Sequence, residues 1–235
     1  MPETPRETIV LPGATGGLGP AVLRRLLPHY RCVALSRSAE ALQRLQAELG
    51  QPAELHGLQV DLQDDTALSA AMARLGATWG PIYGLVYLVG GFEGGALADT
   101  SRETWQRMFD AHVHGAFNAI RAVLPQMRRQ RRGRIVAISS AAVLTKPAGL
   151  AAYLVAKSAL VSLIEVVARE HSAEGITANV LLPAALDTPA MRQVEDRQRL
   201  VPLERVAETI AFLLSAEAAS ITGAALPLTI TGDAA

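Results

Sequence analysis

Cysteine is nearly missing from this 235-residue chain: Cys32 stands alone. A disulfide scaffold is thereby excluded, and the usage suits a reducing, cytoplasmic setting. Net charge is missing too, since 22 Lys and Arg balance 22 Asp and Glu. No long-range field therefore draws the protein to nucleic acid or anionic lipid. No uninterrupted apolar run reaches the ~20 residues of a membrane-spanning helix, and candidates such as 83–92 are broken by glycine. The stretch Met1–Glu7 has no basic segment followed by a long apolar one, so no secretory signal is expected. Repeats, low-complexity tracts and Pro/Gly/Ser linkers are lacking, as is a metal-ligand cluster. Lysine is scarce: of the 22 basic residues only Lys146 and Lys157 are lysines.

With 50% hydrophobic and 19% charged residues, disorder is excluded. A chain of this length buries roughly 70–75% of its unfolded surface. One soluble domain over 1–235 is the expectation, with no membrane or nucleic-acid partner and no metal.

Short β-type runs alternate with helical periodicity along the whole chain. Strands are expected at Thr8–Leu11, Arg31–Leu35, Glu54–Val60, Leu85–Val89, Arg134–Ser139, Thr177–Leu182 and Leu226–Ile230. Helices are expected at Leu18–Leu27, Ala39–Leu49, Asp64–Leu75, Ser101–Arg129, Ala151–His171 and Leu203–Leu214. Runs such as Ile135-Val136-Ala137-Ile138 read as strands buried on both faces, the mark of a parallel sheet. The fold class is therefore α/β, a single doubly wound parallel sheet of seven strands with helices on both faces. Chemistry is then expected just beyond the carboxyl ends of the strands.

The first strand runs into Pro12-Gly13-Ala14-Thr15-Gly16-Gly17-Leu18-Gly19 and then a helix. Glycines in such a turn permit positive φ and let backbone N–H groups approach a pyrophosphate at the helix N-terminus. A tight βα loop is the plain structural alternative. Further on, Tyr153 and Lys157 share a helix face at i and i+4, and Ser140 closes a strand 13 residues before Tyr153. A tyrosine with an unperturbed pKa near 10 is a poor base unless its phenolate is stabilised, which a neighbouring ammonium does.

The turn G-x-x-x-G-x-G joined to Ser140, Tyr153 and Lys157 resembles the short-chain dehydrogenase/reductase family. The resemblance covers almost the whole chain and implies a Rossmann-type domain. It implies that Gly13, Thr15, Gly16, Gly17, Leu18 and Gly19 cradle a dinucleotide, with Asp61 and Leu62 beside the adenine. Gly90 matches the end of the N-N-A-G element. Pro183 and Thr188 fall where the family holds the nicotinamide end, and Asn179 matches the sixth-strand segment. Tyr153 is implied as proton donor or acceptor, Lys157 as the group that lowers its pKa and holds the ribose, and Ser140 as the hydrogen bond to the substrate oxygen.

Three departures stand out. N-N-A-G reads Tyr87-Leu88-Val89-Gly90, and Ala184 replaces a glycine. His112 takes the place of the family's fourth catalytic residue, an Asn whose main-chain carbonyl helps to hold a relay water. His112 is either a proton-relay group, since imidazole titrates near neutral pH, or, like His114, a structural helix residue.

Ser36 and Arg37 follow the second strand where an NAD site carries an acid, and an Arg accommodates a 2′-phosphate. NADP(H) is favoured, with NAD(H) open. The substrate is a small carbonyl or alcohol under a short lid at about 185–203. The competing readings are a non-catalytic dinucleotide-binding sensor or scaffold, a dihydropteridine reductase-like activity suggested by Gly90–Gly95, and a reductase of carrier-bound 3-oxoacyl chains. The cluster Arg128, Arg129, Arg131, Arg132 and Arg134 reads as a solvated helix end, and Cys32 as a small core residue. The apolar helix 151–164 predicts a homo-oligomer, a tetramer or dimer.

Overall fold

A computed structural model describes residues 6–230; the first five residues of the N-terminal stretch lie outside it. Seven parallel strands form one sheet in the order β3-β2-β1-β4-β5-β6-β7. They are β1 (Thr8–Pro12), β2 (Arg31–Ser36), β3 (Leu55–Gln59), β4 (Ile82–Tyr87), β5 (Gly133–Ile138), β6 (Ile176–Pro183) and β7 (Ala225–Leu228). The helices are α1 (Gly19–Leu26), α2 (Ala39–Glu48), α3 (Asp65–Trp79), α4 (Arg102–Phe109), α5 (Gly115–Gln130), α6 (Ala142–Thr145), α7 (Ala151–His171) and α8 (Leu203–Leu214).

The alternation of side chains along each strand sorts the core into two layers. Val10, Val33, Leu35 and Ile135 face one cluster with α3, α5 and α7. Ile9, Leu11, Cys32, Ala34 and Val136 face the other with α1, α2 and α8. Cys32 is fully buried, and burial pushes its thiol up to about 12. Local chemistry starts several helices: Ser38, Asp64 and Ser101 each accept a backbone N–H as N-caps.

The sequence reading is corrected at several places. β4 begins at Ile82 and ends at Tyr87 rather than running over 85–89, and β7 lies at 225–228. The helix read as continuous over 101–129 is broken by a π-helical turn at Asp110–His114. α6 was not anticipated; exposed Lys146 ends it in the left-handed conformation. By length and composition alone, Ala151–Glu174 suffices to cross a membrane, against the expectation that no segment does. That helix is α7, and its face bearing Ala156, Leu160 and Ile164 is buried in the domain.

The arginine cluster folds back on the protein. Arg128 pairs with Glu174 at 2.9 Å, Arg131 donates to Ala173 O at 2.7 Å, and Arg132 pairs with Glu7 and lies over the Tyr83 ring. Arg134 is buried beside the same ring.

Candidate active site

The strand order places β1 between β2 and β4, so successive crossovers leave β1 in opposite directions and a crevice opens at the carboxyl ends of β1 and β4. β1 turns there at Gly13, whose φ is +82°. A Cβ at Gly13 would stand 2.6 Å from Val89 N and 2.7 Å from Leu88 C. The backbone after β4 passes this close because Leu88 N–H donates to Pro12 O at 2.9 Å. The lost N-N-A-G side chains are thus replaced by backbone packing on the turn. Gly13→Ala is expected to destabilise the fold by roughly 2–4 kcal/mol, combining positive-φ strain with a backbone clash. The urea midpoint measures it, and an unshifted midpoint would contradict the close approach.

Beyond the turn, no side chain caps α1 and its first turn holds no acid. The positive end of its dipole therefore opens beside exposed Gly16 and Gly17. Thr188 comes down from the 185–203 segment, with its Cγ2 3.1 Å from where a Cβ on Gly17 would lie. The segment is closed by a bridge between Leu186 and Val201 and braced by Arg192 on Asp187. Pro183 ends β6, its carbonyl accepting Ala141 N–H at 2.9 Å.

On the other flank, Ser36 ends β2 with its hydroxyl accepting Ser38 N–H at 3.2 Å. Exposed Arg37 makes no ion pair among the described residues. Asp61 is exposed after β3 and accepts Gln63 N–H at 3.0 Å, while Leu62 is held through its carbonyl by Asn118 at 2.8 Å. A glycine cradle, an uncapped helix end, an unpaired guanidinium and a carboxylate along one sheet edge fit an anionic dinucleotide. Asn179 is not part of this edge: its amide clamps Ile221 O and Ala224 N at 2.8 and 3.0 Å.

The proton-transfer residues gather where β5 meets α7. Lys157 Nζ donates to Ile138 O at 2.9 Å, and Ser139 Oγ donates back to Lys157 O at 3.0 Å. This reciprocal pair locks α7 to the strand end. Ser140, the next residue, accepts Ala142 N–H at 3.2 Å and faces the Tyr153 hydroxyl, whose pKa it lowers. The Tyr153 ring stands edge-on between Phe92 and His112, with centroids 5.2 and 5.7 Å away.

Burial raises the Tyr153 phenol above its ordinary pKa, with Ser140 opposing. Lys157 is not among the groups that shift it here. Its ammonium is turned onto Ile138 O, 5.9 Å from the ring centroid, and burial depresses Lys157 itself to about 7. His112 is fully buried and held neutral, at about 3, by burial first and by the Lys157 charge second, against the Gly91 and Val89 backbone. It therefore does not exchange protons near pH 7 as a free imidazole does. His114 is exposed and bonded to Asp110 at 2.8 Å.

Phe92 covers Tyr153. The sequence reading missed two contributors: Ser139 ties Lys157, and Tyr87 donates to Ala111 O at 2.6 Å in the π-turn. Only Tyr87 left a trace in the sequence, a hydroxyl ending an otherwise apolar strand. No group of residues suited to a metal ion occurs among the described residues.

Fold and site together define a nicotinamide-dinucleotide oxidoreductase. A family model described as short chain dehydrogenase matches residues 7–199, and the chain belongs to that family. It is 35% identical over 206 residues, covering 80% of this chain and 89% of the relative, to a protein named "Inactive 2-(S)-hydroxypropyl-CoM dehydrogenase 2" from Xanthobacter autotrophicus. It is 30% identical over 226 residues to the 3-oxoacyl-(acyl-carrier-protein) reductase FabG of Escherichia coli, covering 91% and 92% of the two chains. Among solved structures, a variant actinorhodin polyketide ketoreductase with NADPH superposes with TM-score 0.88 at 27% identity, covering 95% of this chain and 96% of that one.

Proposed function

We propose that the protein is a cytoplasmic, NADP(H)-dependent oxidoreductase that interconverts a ketone or aldehyde and its alcohol. The observation that carries this reading is the assembly of Ser140, Tyr153 and Lys157 at one strand end, where Ser140 lowers the Tyr153 hydroxyl pKa against its burial and Lys157 donates to Ile138 O. A protein that only bound the coenzyme would have no use for a proton donor held there.

The bound coenzyme supplies or accepts the hydride. Gly13, Thr15, Gly16, Gly17, Leu18 and Gly19 would hold its phosphates, Asp61 and Leu62 the adenine end, and Gly90, Pro183 and Thr188 the nicotinamide end. In reduction, Tyr153 donates its proton to the substrate oxygen, and Ser140 donates a hydrogen bond to the same oxygen as charge builds on it. Lys157 holds the ribose and stabilises the phenolate once it forms. The exposed face of Phe92, which packs on Tyr153, supplies an apolar wall that favours a carbonyl flanked by hydrocarbon. The names of the relatives, a 3-oxoacyl reductase and a polyketide ketoreductase, agree with such substrates. Exposed Phe117, Val155 and Val166 on α5 and α7 support a homo-oligomer joined through those helices.

Coenzyme choice rests on Ser36 in place of an acid and on exposed Arg37, which makes no ion pair among the described residues. Arg37→Asp is expected to lower kcat/KM with NADPH by roughly tenfold or more, the loss of one charge-assisted phosphate contact, and to leave NADH far less affected. Equal losses with both coenzymes would overturn the NADP reading. Coenzyme oxidation across ketones, aldehydes, dihydropteridines and acyl thioesters tests the activity itself. Tight coenzyme binding with no turnover on any of them would turn the assignment to a non-catalytic sensor.

A further inference from the structure

The loop that follows β4 is a flexible sequence held still. It reads Gly90-Gly91-Phe92-Glu93-Gly94-Gly95, four glycines in six residues, and glycine loses more conformational freedom on folding than any other residue. Its only two side chains, Phe92 and Glu93, are both engaged. Phe92 stands edge-on to the Tyr153 ring with centroids 5.2 Å apart, yet it is 64% exposed. An aromatic left so open beside the reacting hydroxyl offers an apolar face for a substrate to cover.

Three sets of bonds fix the loop. At its start, Gly91 O lies 3.0 Å from His112 Nε2. At its end, Gly95 forms a short parallel bridge with the entry to α7: Gly95 N–H donates to Gly149 O at 2.6 Å and Ala151 N–H to Gly95 O at 3.1 Å. Between these ties the Glu93 carboxylate is gripped from α4. Arg107 donates to it twice, Nε to Oε1 at 2.8 Å and Nη2 to Oε2 at 2.7 Å, and Thr104 Oγ1 donates to Oε2 at 3.1 Å. Thr104 and Arg107, three residues apart, share a helix face. α4 is itself seated on α7, where buried Met108 packs with Ala152 and Ala156. The grip on Glu93 is thereby set relative to the helix that carries Tyr153. A lone exposed ion pair does little, whereas a two-pronged guanidinium–carboxylate contact also imposes a direction. Here that direction is imposed on the residue next to Phe92.

We propose that Phe92 is a specificity-determining residue held by a latch of Glu93, Arg107 and Thr104, and that it selects carbonyl compounds whose apolar group is large enough to cover its ring over small ones. The proposal rests on the oxidoreductase reading for its substrate and not for its latch.

Reduction of acetophenone and of acetone with NADPH tests it. The wild-type protein is expected to prefer acetophenone. Phe92→Ala is expected to lower the ratio of the two kcat/KM values by roughly tenfold, the worth of an apolar contact of this size, mainly through the KM of acetophenone. Glu93→Gln and Arg107→Met keep Phe92 and cut the latch at side chains that are 34% and 57% exposed, where the fold tolerates substitution. Each is expected to lower the same ratio by about threefold or more, because the wall is then misplaced. A ratio unchanged in Phe92→Ala, an equal loss for both ketones, or a loss in kcat alone would overturn the proposal. Proton NMR gives a readout that needs no turnover. A nuclear Overhauser contact between the Phe92 and Tyr153 rings is expected in the wild-type protein and is expected to weaken in Glu93→Gln and Arg107→Met. An undiminished contact in both variants overturns the latch even in an active enzyme. A contact that weakens as expected in a protein that reduces no carbonyl would leave the latch standing and count against the oxidoreductase reading instead.

Discussion

Tyr153→Phe is expected to lower kcat by about 10²–10⁴-fold, the range that a positioned general acid contributes, while coenzyme affinity stays within about twofold. The hydroxyl is the only part removed. The ring contacts with Phe92 and His112 survive, so the fold and the coenzyme site persist. The cost to stability is limited to the polar interaction with Ser140, on the order of 1 kcal/mol or less. Coenzyme fluorescence titration and steady-state kinetics on the same preparation separate the two effects. Turnover that persists in Tyr153→Phe would remove Tyr153 from its role. Burial raises the Tyr153 phenol, so it stays protonated through neutral pH. Reduction, which needs the phenol, is accordingly expected to run at neutral pH. Alcohol oxidation, which needs the phenolate, is expected to rise with pH.

Lys157→Met is expected to abolish turnover and, unusually for a change in an active site, to make the protein more stable. Lys157 is almost wholly buried, and burial lowers it from 10.5 to about 7. Each unit of that depression is about 1.36 kcal/mol against the charged form. The unfolded chain therefore binds more protons than the native one between pH 7 and 10.5. Stability rises with pH across that window. The penalty is fully present below the folded value and relieved as pH climbs toward the unfolded one.

Methionine fills similar volume without the charge, and its main loss is the bond to Ile138 O. A net gain of roughly 1–3 kcal/mol at neutral pH is expected, after an orphaned carbonyl is set against the relieved desolvation. The gain should shrink as pH approaches the unfolded value. Thermal unfolding of both proteins across pH tests this, and a less stable Lys157→Met at neutral pH would show that the ammonium is better solvated than its surroundings indicate. A lysine kept where it weakens the fold fits a position retained for chemistry.

Much of this was legible along the chain. α7 matched its expected bounds of Ala151–His171 because an uninterrupted apolar pattern carries its own period. β4 was misplaced by three residues at its start and two at its end because Ile82-Tyr83-Gly84 and Leu88-Val89 are both apolar. Just past the strand end its backbone passes over Gly13, in the turn that follows β1. The break in the 101–129 helix was invisible for a similar reason. Asp110–His114 has helical composition throughout, and the π-turn is held by Tyr87 and Gln63 from outside the helix.

The scarcity of lysine singled out Lys157 from composition alone, and the identities of Ser140, Tyr153 and the glycine turn were likewise determined by the sequence. Periodicity and spacing are short-range properties, and the chain carries them locally. Charge states and orientations are not local. That Lys157 is turned onto Ile138, that His112 is buried and held neutral, and that Thr188 lies over Gly17 were decided by tertiary structure. Each depends on how much water and charge several distant elements leave around one side chain, a sum that no stretch of sequence contains.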